Sequence, residues 1–190
     1  MNYILFDGNV RNQLLPFTFT RPVADIRVGI LTIREKWELL LGFTTTTITE
    51  DYLTGKWPMV ELEQNILINA SFIPTEKLVD SIKNLSENKA IFYKEEPVAF
   101  FTSEGQEVDF ESYDIVQLEE NEIFRIEHTW DIFSKNHKAI ALDFKWLTRG
   151  RKSRPIPEMT VAFNKEEIFI EEGATSVSYT HLTLPTILRV

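Results

Sequence analysis

The N-terminal stretch Tyr3-Ile-Leu-Phe-Asp-Gly8 leads into a polar loop that carries Arg11 and Arg21, and this loop leads into the amphipathic segment Ile30–Leu41. The apolar residues Tyr3–Phe6 predict a buried strand. A short strand, a glycine turn, a cationic loop and then a helix is the order in which α/β folds commonly hold a phosphate group. This stretch therefore predicts an α/β fold with a phosphate site at the end of its first strand.

Strand and helix patterns alternate along the rest of residues 1–148. A helical spacing joins five apolar residues, and Gly42 is placed to end that helix; the five are Ile30, Ile33, Trp37, Leu40 and Leu41. The other predicted elements are strands at Thr44–Thr49 and Asn65–Asn69, a helix opened by Pro74-Thr75, a hairpin of Ala90–Tyr93 and Val98–Phe101, a strand pair of Ile115–Leu118 and Ile123–Ile126, a helix Thr129–Ser134 with Thr129 as its N-cap, and a helix over Ala139–Leu147. This order predicts a Rossmann-like mixed sheet flanked by helices, parallel at first and with antiparallel additions in its strand-rich middle.

The composition excludes several classes of protein. The 190 residues are 43% hydrophobic and include no cysteine and three histidines, which predicts a globular chain without disulfides or a histidine-rich metal site. No apolar run reaches the about 20 residues of a membrane-spanning helix, and the N-terminus lacks the basic and apolar regions of a signal peptide. We therefore expect a cytoplasmic protein with no membrane partner.

Charge is unevenly distributed along the chain. The formal net charge is −9, which argues against nucleic acid as a partner. The first 34 residues nevertheless hold four arginines and only two aspartates. A positive segment in an acidic protein favours a small anion as the ligand. The alternative is that Arg11 and Arg21 only solvate the end of a helix.

A basic, proline-containing segment follows the predicted first domain. Residues 149–160 predict a linker, although their cations could instead contact phosphates. Residues 161–175, which include Ile168-Phe-Ile170, look like the first coil of a left-handed β-helix, a fold in which an aliphatic residue recurs in each hexapeptide. The next such position is Ser176, so the repeat stops there.

The C-terminal residues 176–190 have a different origin in our interpretation. Val177–Thr186 matches the conceptual translation of a transposase adapter used in short-read sequencing libraries. A natural tail that resembles the adapter by accident is the alternative. We expect residues 176–190 to be a non-native tail, and we give Tyr179 and His181 no functional role.

Several motifs spread over residues 1–175 carry a resemblance to a known family. They are Tyr3-Ile-Leu-Phe-Asp-Gly8, Arg11, Leu15-Pro-Phe-Thr18, Thr20-Arg-Pro-Val-Ala-Asp-Ile-Arg27, Gly29–Trp37, Ile68-Asn-Ala-Ser71, Thr129–Phe133, Gly150-Arg-Lys-Ser153 and Phe169–Thr175. Together they resemble a bacterial sugar nucleotidyltransferase family, in particular the N-terminal part of bifunctional N-acetylglucosamine-1-phosphate uridylyltransferase/glucosamine-1-phosphate acetyltransferases. The N-terminal block is the most specific part of the match.

The resemblance implies transfer of a nucleotidyl group from a nucleoside triphosphate to a sugar 1-phosphate, with release of pyrophosphate and with Mg²⁺ as cofactor. It assigns catalytic roles to Arg11 and Arg21, and it places Asp7, Gly8 and Asn69 with these arginines in the nucleotide and phosphate site. It further implies synthesis of UDP-N-acetylglucosamine for the cell envelope, and a parent protein that trimerises through a β-helix acyltransferase. A turn-shaping role is the alternative for Asn69.

The loop departs from the family pattern in two respects. Gly8 stands alone where that pattern has several glycines, and the Gly-Asp pair that supplies a magnesium carboxylate is missing. Asp7, Asp114 and Asp131 are candidate replacements, with a first-turn helix position as the alternative role of Asp131. A second hypothesis therefore stays open: a catalytically inactive domain that binds a nucleotide sugar or scaffolds a β-helix acyltransferase.

Overall fold

The structure is a computed structural model that describes residues 1–158 and 160–175. The chain divides into two compact units, residues 1–144 and the residues from Lys145 onward. The domain limits predicted at residues 148, 160 and 175 stay predictions. None of the helices in the described ranges is both long enough and apolar enough to cross a membrane.

One mixed sheet of six strands forms the centre of the first unit. Its strands are β1 (Asn2–Phe6), β2 (Thr46–Ile48), β3 (Gln64–Asn69), β4 (Lys89–Tyr93), β5 (Glu96–Ser103) and β6 (Asp114–Gln117), in the order β2-β1-β3-β5-β4-β6. β5 runs antiparallel to both neighbours, and all other pairs are parallel. The carboxyl ends of five strands and the amino end of β5 therefore meet at one edge, the carboxyl edge. The predicted mixed α/β sheet is confirmed.

The described residues contain four α-helices: α1 (Ile33–Leu41), α2 (Glu76–Lys83), α3 (Thr129–Ser134) and α4 (Asn136–Thr148). Side-chain caps determine where the first two begin. Thr32 Oγ1 accepts the N–H of Glu35, whose carboxylate accepts the N–H of Thr32 in return. Thr75 caps α2 in the same manner. Gly42 ends α1 with a left-handed φ of 80°, as predicted.

Hydrophobic side chains cover both faces of the sheet. The larger core lies on the face that α1 and α2 cover, and Trp37 is its largest fully buried side chain. Trp37 Nε1 donates to the carbonyl of Phe72 at 3.0 Å, so the indole is buried with its donor satisfied. The opposite face carries a smaller aromatic cluster with edge-to-face rings; its members include Phe92, Phe100, Phe110 and Tyr113.

A buried ion pair joins α1 to α4. The Lys36 ammonium contacts the Asp143 carboxylate, and both side chains are completely inaccessible to solvent. The same carboxylate accepts the N–H groups of Ile30 at 2.8 Å and Leu31 at 3.1 Å. Burial lowers the pKa of the Lys36 ammonium, and the contact with Asp143 opposes this change. Gly29 has a φ of +83°, and a Cβ there would lie 2.5 Å from Asp143 Oδ2, so no larger residue fits beside the pair.

The structure corrects four predicted details. Ile30 is not helical but lies in the loop before α1, where it is 40% exposed. The helix starts later because Asp143 accepts the N–H of Ile30 and Thr32 is the N-cap. Of the predicted strand Ile123–Ile126, only Arg125 pairs within the described residues, in an isolated antiparallel bridge with Phe72. Thr129 is the first residue of α3 rather than its N-cap. The last helix begins at 136, three residues before the predicted start.

Asp131 caps α3 with its carboxylate. Oδ2 accepts the N–H groups of Glu127 at 2.8 Å and His128 at 3.0 Å, and Oδ1 lies 3.0 Å from Lys135 Nζ. Burial alone raises the pKa of the Asp131 carboxyl, but the two backbone hydrogen bonds and Lys135 together lower it by more. The net result is a pKa below the ordinary value, so the charged form is favoured in the folded protein.

We expect Asp131→Asn to lower the free energy of unfolding by about 1–2 kcal/mol at neutral pH. Because the folded-state pKa is lowered, the carboxylate stabilises the fold above the unfolded-state pKa of 3.8 and loses this effect as pH falls through the folded-state pKa. Urea unfolding of wild type and variant should therefore differ at neutral pH and converge in stronger acid. A difference that is independent of pH would contradict the role of the charge.

The unit from Lys145 onward contains the predicted linker and the predicted β-helix coil. Arg151 forms an ion pair with Glu171, and its guanidinium carbon lies 5.0 Å from the ring centroid of Phe169. A single 3-10 turn covers Lys165–Glu167. The coil at residues 161–175 stays a prediction, and the adapter-like tail, residues 176–190, lies outside the described residues.

Candidate functional site

The loop that follows β1 lies at the carboxyl edge of the sheet. β1 ends at Phe6, so Asp7 and Gly8 are the first residues beyond it. Asn69 is the last residue of β3 and is the register partner of Phe6 on the neighbouring parallel strand. Arg11 reaches back to Asp7. The structure thus brings together four of the predicted site residues at one edge.

Asp7 and Arg11 form a buried pair that ties the loop together. Arg11 Nη1 lies 2.6 Å from Asp7 Oδ2, and Arg11 Nη2 donates to the carbonyl of Thr18 at 2.6 Å. Asp7 also accepts the N–H of Val23 and the hydroxyl of Thr49, each at 2.6 Å. A charged pair with this many hydrogen bonds holds its surroundings in one arrangement. The pair therefore fixes the path of the loop between β1 and α1.

Asn69 forms the floor beneath Gly8. Its side chain is fully buried, and its amide atoms lie 2.8 Å from where a Cβ on Gly8 would stand. Asn69 Oδ1 accepts the N–H and hydroxyl of Ser71, at 3.0 and 2.8 Å. Asn69 Nδ2 donates to Glu96 Oε1 at 3.0 Å and to the carbonyl of Pro97 at 3.2 Å. Gly8, at φ +64°, thus occupies a backbone position that has no space for a side chain.

Arg21 differs from Arg11 in its surroundings. Its side chain is exposed, whereas the Arg21 carbonyl accepts from Arg11 Nη1 at 3.5 Å, which ties its backbone to the buried pair. Arg21 lines a cavity of about 490 Å³, a size that suits a small-molecule ligand. We call this cavity the cationic groove; its residues are Thr20, Arg21, Asp25, Thr32, Arg34, Glu35, Lys56 and Trp57.

Two cations of the cationic groove, Arg21 and Lys56, form no ion pair with any described residue. Asp25 is engaged by Arg34 Nε at 2.7 Å and by Trp57 Nε1 at 2.5 Å. Lys56 Nζ lies 4.4 Å from the centroid of the Trp57 ring. Within the described residues neither Lys56 nor Arg21 pairs with an acid. Their positive charges remain available to an anionic ligand.

A second cavity is lined in part by Asn9, the residue that follows Gly8. Its volume is about 470 Å³, and we call it the polar groove; its residues are Asn9, Tyr93, Lys94, Glu95, Glu96, Glu120, Arg125 and Glu127. Arg125 forms an ion pair with Glu96 and lies 3.2 Å from Glu127 Oε1. Arg125 Nε is buried and has no acceptor among the described residues. Four glutamates against two cations make this groove acidic, which suits a hydroxyl-rich ligand better than a phosphate.

The residues that form this edge lie within a match to a known protein family. The profile of a family described as sugar nucleotidyl transferase matches residues 3–152. The chain belongs to this family. Family chemistry is the transfer of a nucleotidyl group to a sugar phosphate, so the nucleotidyltransferase resemblance of the sequence is confirmed at that level. Among curated proteins, none matches the chain significantly.

Sugar nucleotidyl transferases commonly use Mg²⁺, an ion that needs carboxylate oxygens that are free to bind it. Asp7 has both oxygens occupied by Arg11, Thr49 and a backbone N–H. Asp114 begins β6 and lies at the opposite edge of the sheet, and Asp131 caps α3. The described residues contain no group of three or more acidic or histidine side chains placed to hold a metal. These carboxylates therefore do not fit a preformed magnesium site.

Some residues at the carboxyl edge of this sugar nucleotidyl transferase could not be predicted from the sequence. Lys56 and Trp57 follow the short strand β2 in an irregular segment, where no periodicity indicates the direction of a side chain. Glu96 and Arg125 belong to elements that the sequence marks only by their apolar neighbours. The usable signal was the strand that begins at Glu96, since the amino end of an antiparallel strand lies at the same edge as the carboxyl ends of its neighbours.

Proposed function

We propose that the first unit catalyses the reaction of a nucleoside triphosphate with a sugar 1-phosphate to give a nucleoside-diphosphate sugar and pyrophosphate. The observation that carries the proposal is Arg21, which is exposed, forms no ion pair within the described residues and lies at the carboxyl edge of a sheet within the matched residues 3–152. Ligands bind at that edge in open α/β sheets. For the substrates we propose UTP and N-acetylglucosamine 1-phosphate, on the resemblance of the N-terminal motifs.

The chemistry needs positive charge more than a nucleophilic side chain. A phosphate oxygen of the sugar 1-phosphate forms a bond to the α-phosphorus, and the bond from that phosphorus to the bridging oxygen of the β-phosphate breaks, so pyrophosphate leaves. The reactants repel each other, and cationic groups lower the barrier by neutralising this charge. Arg21, with Lys56 beside it, is proposed to bind the triphosphate, because a guanidinium can hold phosphate through two parallel hydrogen bonds.

Arg11, Asp7, Gly8 and Asn69 are proposed to shape this site. Their polar groups already bind one another and the neighbouring backbone, as the distances above describe. A loop held in this way can present its backbone at one fixed place, which is the condition for positioning a reactive phosphate. We thus propose that Arg11 contributes to catalysis by holding the loop, and Arg21 by contacting phosphate.

A catalytically inactive domain that binds a nucleotide sugar is the second candidate. Two observations favour it: Asp7 and Arg11 bind each other, and none of the three candidate aspartates fits a magnesium site within the described residues. Under either candidate we propose, from the resemblance alone, a cytoplasmic parent protein that trimerises through a β-helix acyltransferase and supplies an activated sugar for the cell envelope.

Pyrophosphate release separates the two candidates. The 190-residue chain is mixed with UTP or dTTP and with glucose, glucosamine or N-acetylglucosamine 1-phosphate, with Mg²⁺ present. We expect release with one pair and a matching nucleotide sugar in the product mixture. No release with any pair, together with calorimetric binding of a UDP-sugar, would favour the inactive domain; no binding either would reject both.

A further inference from the structure

Glu96 is placed between the polar groove and the loop after β1. It is the first residue of β5, so its side chain stands at the carboxyl edge. Glu96 Oε2 accepts from Arg125 Nη2 in the polar groove, while Oε1 accepts from Asn69 Nδ2 at 3.0 Å. The Glu96 carboxylate therefore connects Arg125 of the polar groove with Asn69, which lies beneath Gly8.

The orientation of the Asn69 amide depends on its partners on both sides. Ser71 donates twice to Oδ1, so the oxygen must face Ser71 and the NH₂ group must face Glu96 and Pro97. The same amide fills the space beneath Gly8, where its atoms lie 2.8 Å from a Cβ position. Glu96 and the carbonyl of Pro97 together bind the NH₂ side of this amide. The bond from Asn69 to Glu96 is therefore one of the bonds that hold the amide beneath Gly8.

Arg125 is held firmly but has unused hydrogen-bonding capacity. Its side chain is 10% exposed, and its guanidinium carbon lies 4.9 Å from the centroid of the Phe72 ring. Because Nε has no acceptor among the described residues, the guanidinium is paired on one side and has a donor to offer after a small movement. A ligand group that engages Arg125 competes with Glu96 for it.

We propose that Glu96 is a positioning residue that couples the polar groove to the Gly8 loop. This proposal rests on the proposed function, because it takes the loop after β1 to hold a nucleoside triphosphate. Occupation of the polar groove by the hydroxyl-rich part of a substrate changes the Glu96–Arg125 contact, and Asn69 transmits that change to Gly8. The coupling is reciprocal, so nucleotide at the loop changes the affinity of the groove by the same factor.

Three variants test the proposal: Glu96→Ala, Glu96→Gln and the matched control Glu95→Ala. Glu95 lines the same groove and carries the same charge, but it is exposed, and no contact with Asn69 is seen for it within the described residues. Calorimetric titration with UTP should show about tenfold weaker binding for E96A. The affinity of E96Q should change by no more than about threefold, because its Oε1 still accepts from Asn69. The affinity of E95A should change very little. Equally weakened UTP binding in E96A and E95A would overturn the proposal, because the loss of one negative charge from the polar groove would then explain the effect.

Hydrogen exchange of the ligand-free protein keeps this test independent of the proposed function. We expect faster exchange of the Gly8–Val10 amides in E96A than in wild type, E96Q or E95A. Unchanged exchange in E96A overturns the proposal even if UTP binds. If E96A exchanges faster than wild type but wild type does not bind UTP, the contact between Glu96 and the loop is supported and the nucleotide assignment is rejected. If E96A does not fold, E96D, with a carboxylate one methylene short of Asn69, replaces it.

Discussion

Replacing Arg21 with alanine will lower kcat/KM for nucleotidyl transfer by about 100- to 1,000-fold, which is the usual loss when one donor to a developing charge is removed. The free energy of unfolding should change little, because the Arg21 side chain is exposed and makes no ion pair within the described ranges. Pyrophosphate release measures the first quantity and urea unfolding the second. Activity and stability are thus expected to separate at this position.

Two further arginine variants control that prediction. Arg21→Lys keeps the charge but not the planar pair of donors, so we expect a smaller loss, about tenfold. Arg27→Ala removes an exposed arginine of the same segment that lies outside the cationic groove and 3.6 Å from Glu35. Its activity should stay close to wild type. If R27A and R21A lose activity equally, the effect belongs to the net charge of the segment and not to Arg21.

The second large effect concerns stability. Asp143→Asn is expected to lower the free energy of unfolding by about 3–5 kcal/mol, since it leaves the buried Lys36 ammonium without a counter-charge. The amide oxygen of asparagine can still accept the N–H groups of Ile30 and Leu31, so the loss reports the charge rather than those bonds. Urea unfolding monitored by circular dichroism measures the change.

A double variant shows whether the unpaired charge causes the loss. Lys36→Met in the Asp143→Asn background removes the ammonium and places an apolar side chain of similar length in the core. We expect the double variant to recover most of the lost free energy, because a buried pair replaced by neutral groups is often nearly as stable. Additive losses of the two single changes would show instead that Lys36 and Asp143 stabilise the fold separately.

Sequence reasoning found the elements whose pattern is local. The apolar run of β1, the helical spacing before Gly42 and the threonine that opens α2 each depend on neighbours a few positions away, and the structure confirms these elements. Lys36 was beyond such reasoning. A lysine in an amphipathic helix is almost always placed on the solvated face, and the acid that allows its burial lies 107 positions away in the sequence.

The candidate site shows the same division. The carboxyl edge follows from the strand order, so the grouping of Asp7, Gly8 and Asn69 could be anticipated. The contrast between Arg11 and Arg21 could not, because both lie in an irregular loop without a periodicity that would mark a buried side. The polar groove also has no signature in the sequence, since its residues come from four separated segments and become neighbours only when the sheet forms.

The Lys36–Asp143 pair also concerns the protein while it is being synthesised. β1, the loop and α1 leave the ribosome first, yet the counter-ion of Lys36 is translated 107 residues later. Until α4 has emerged, α1 cannot bury its ammonium except as an unpaired charge. α1 therefore cannot reach its final buried position until α4 has been translated. That interval is when we expect chaperones to bind the nascent chain.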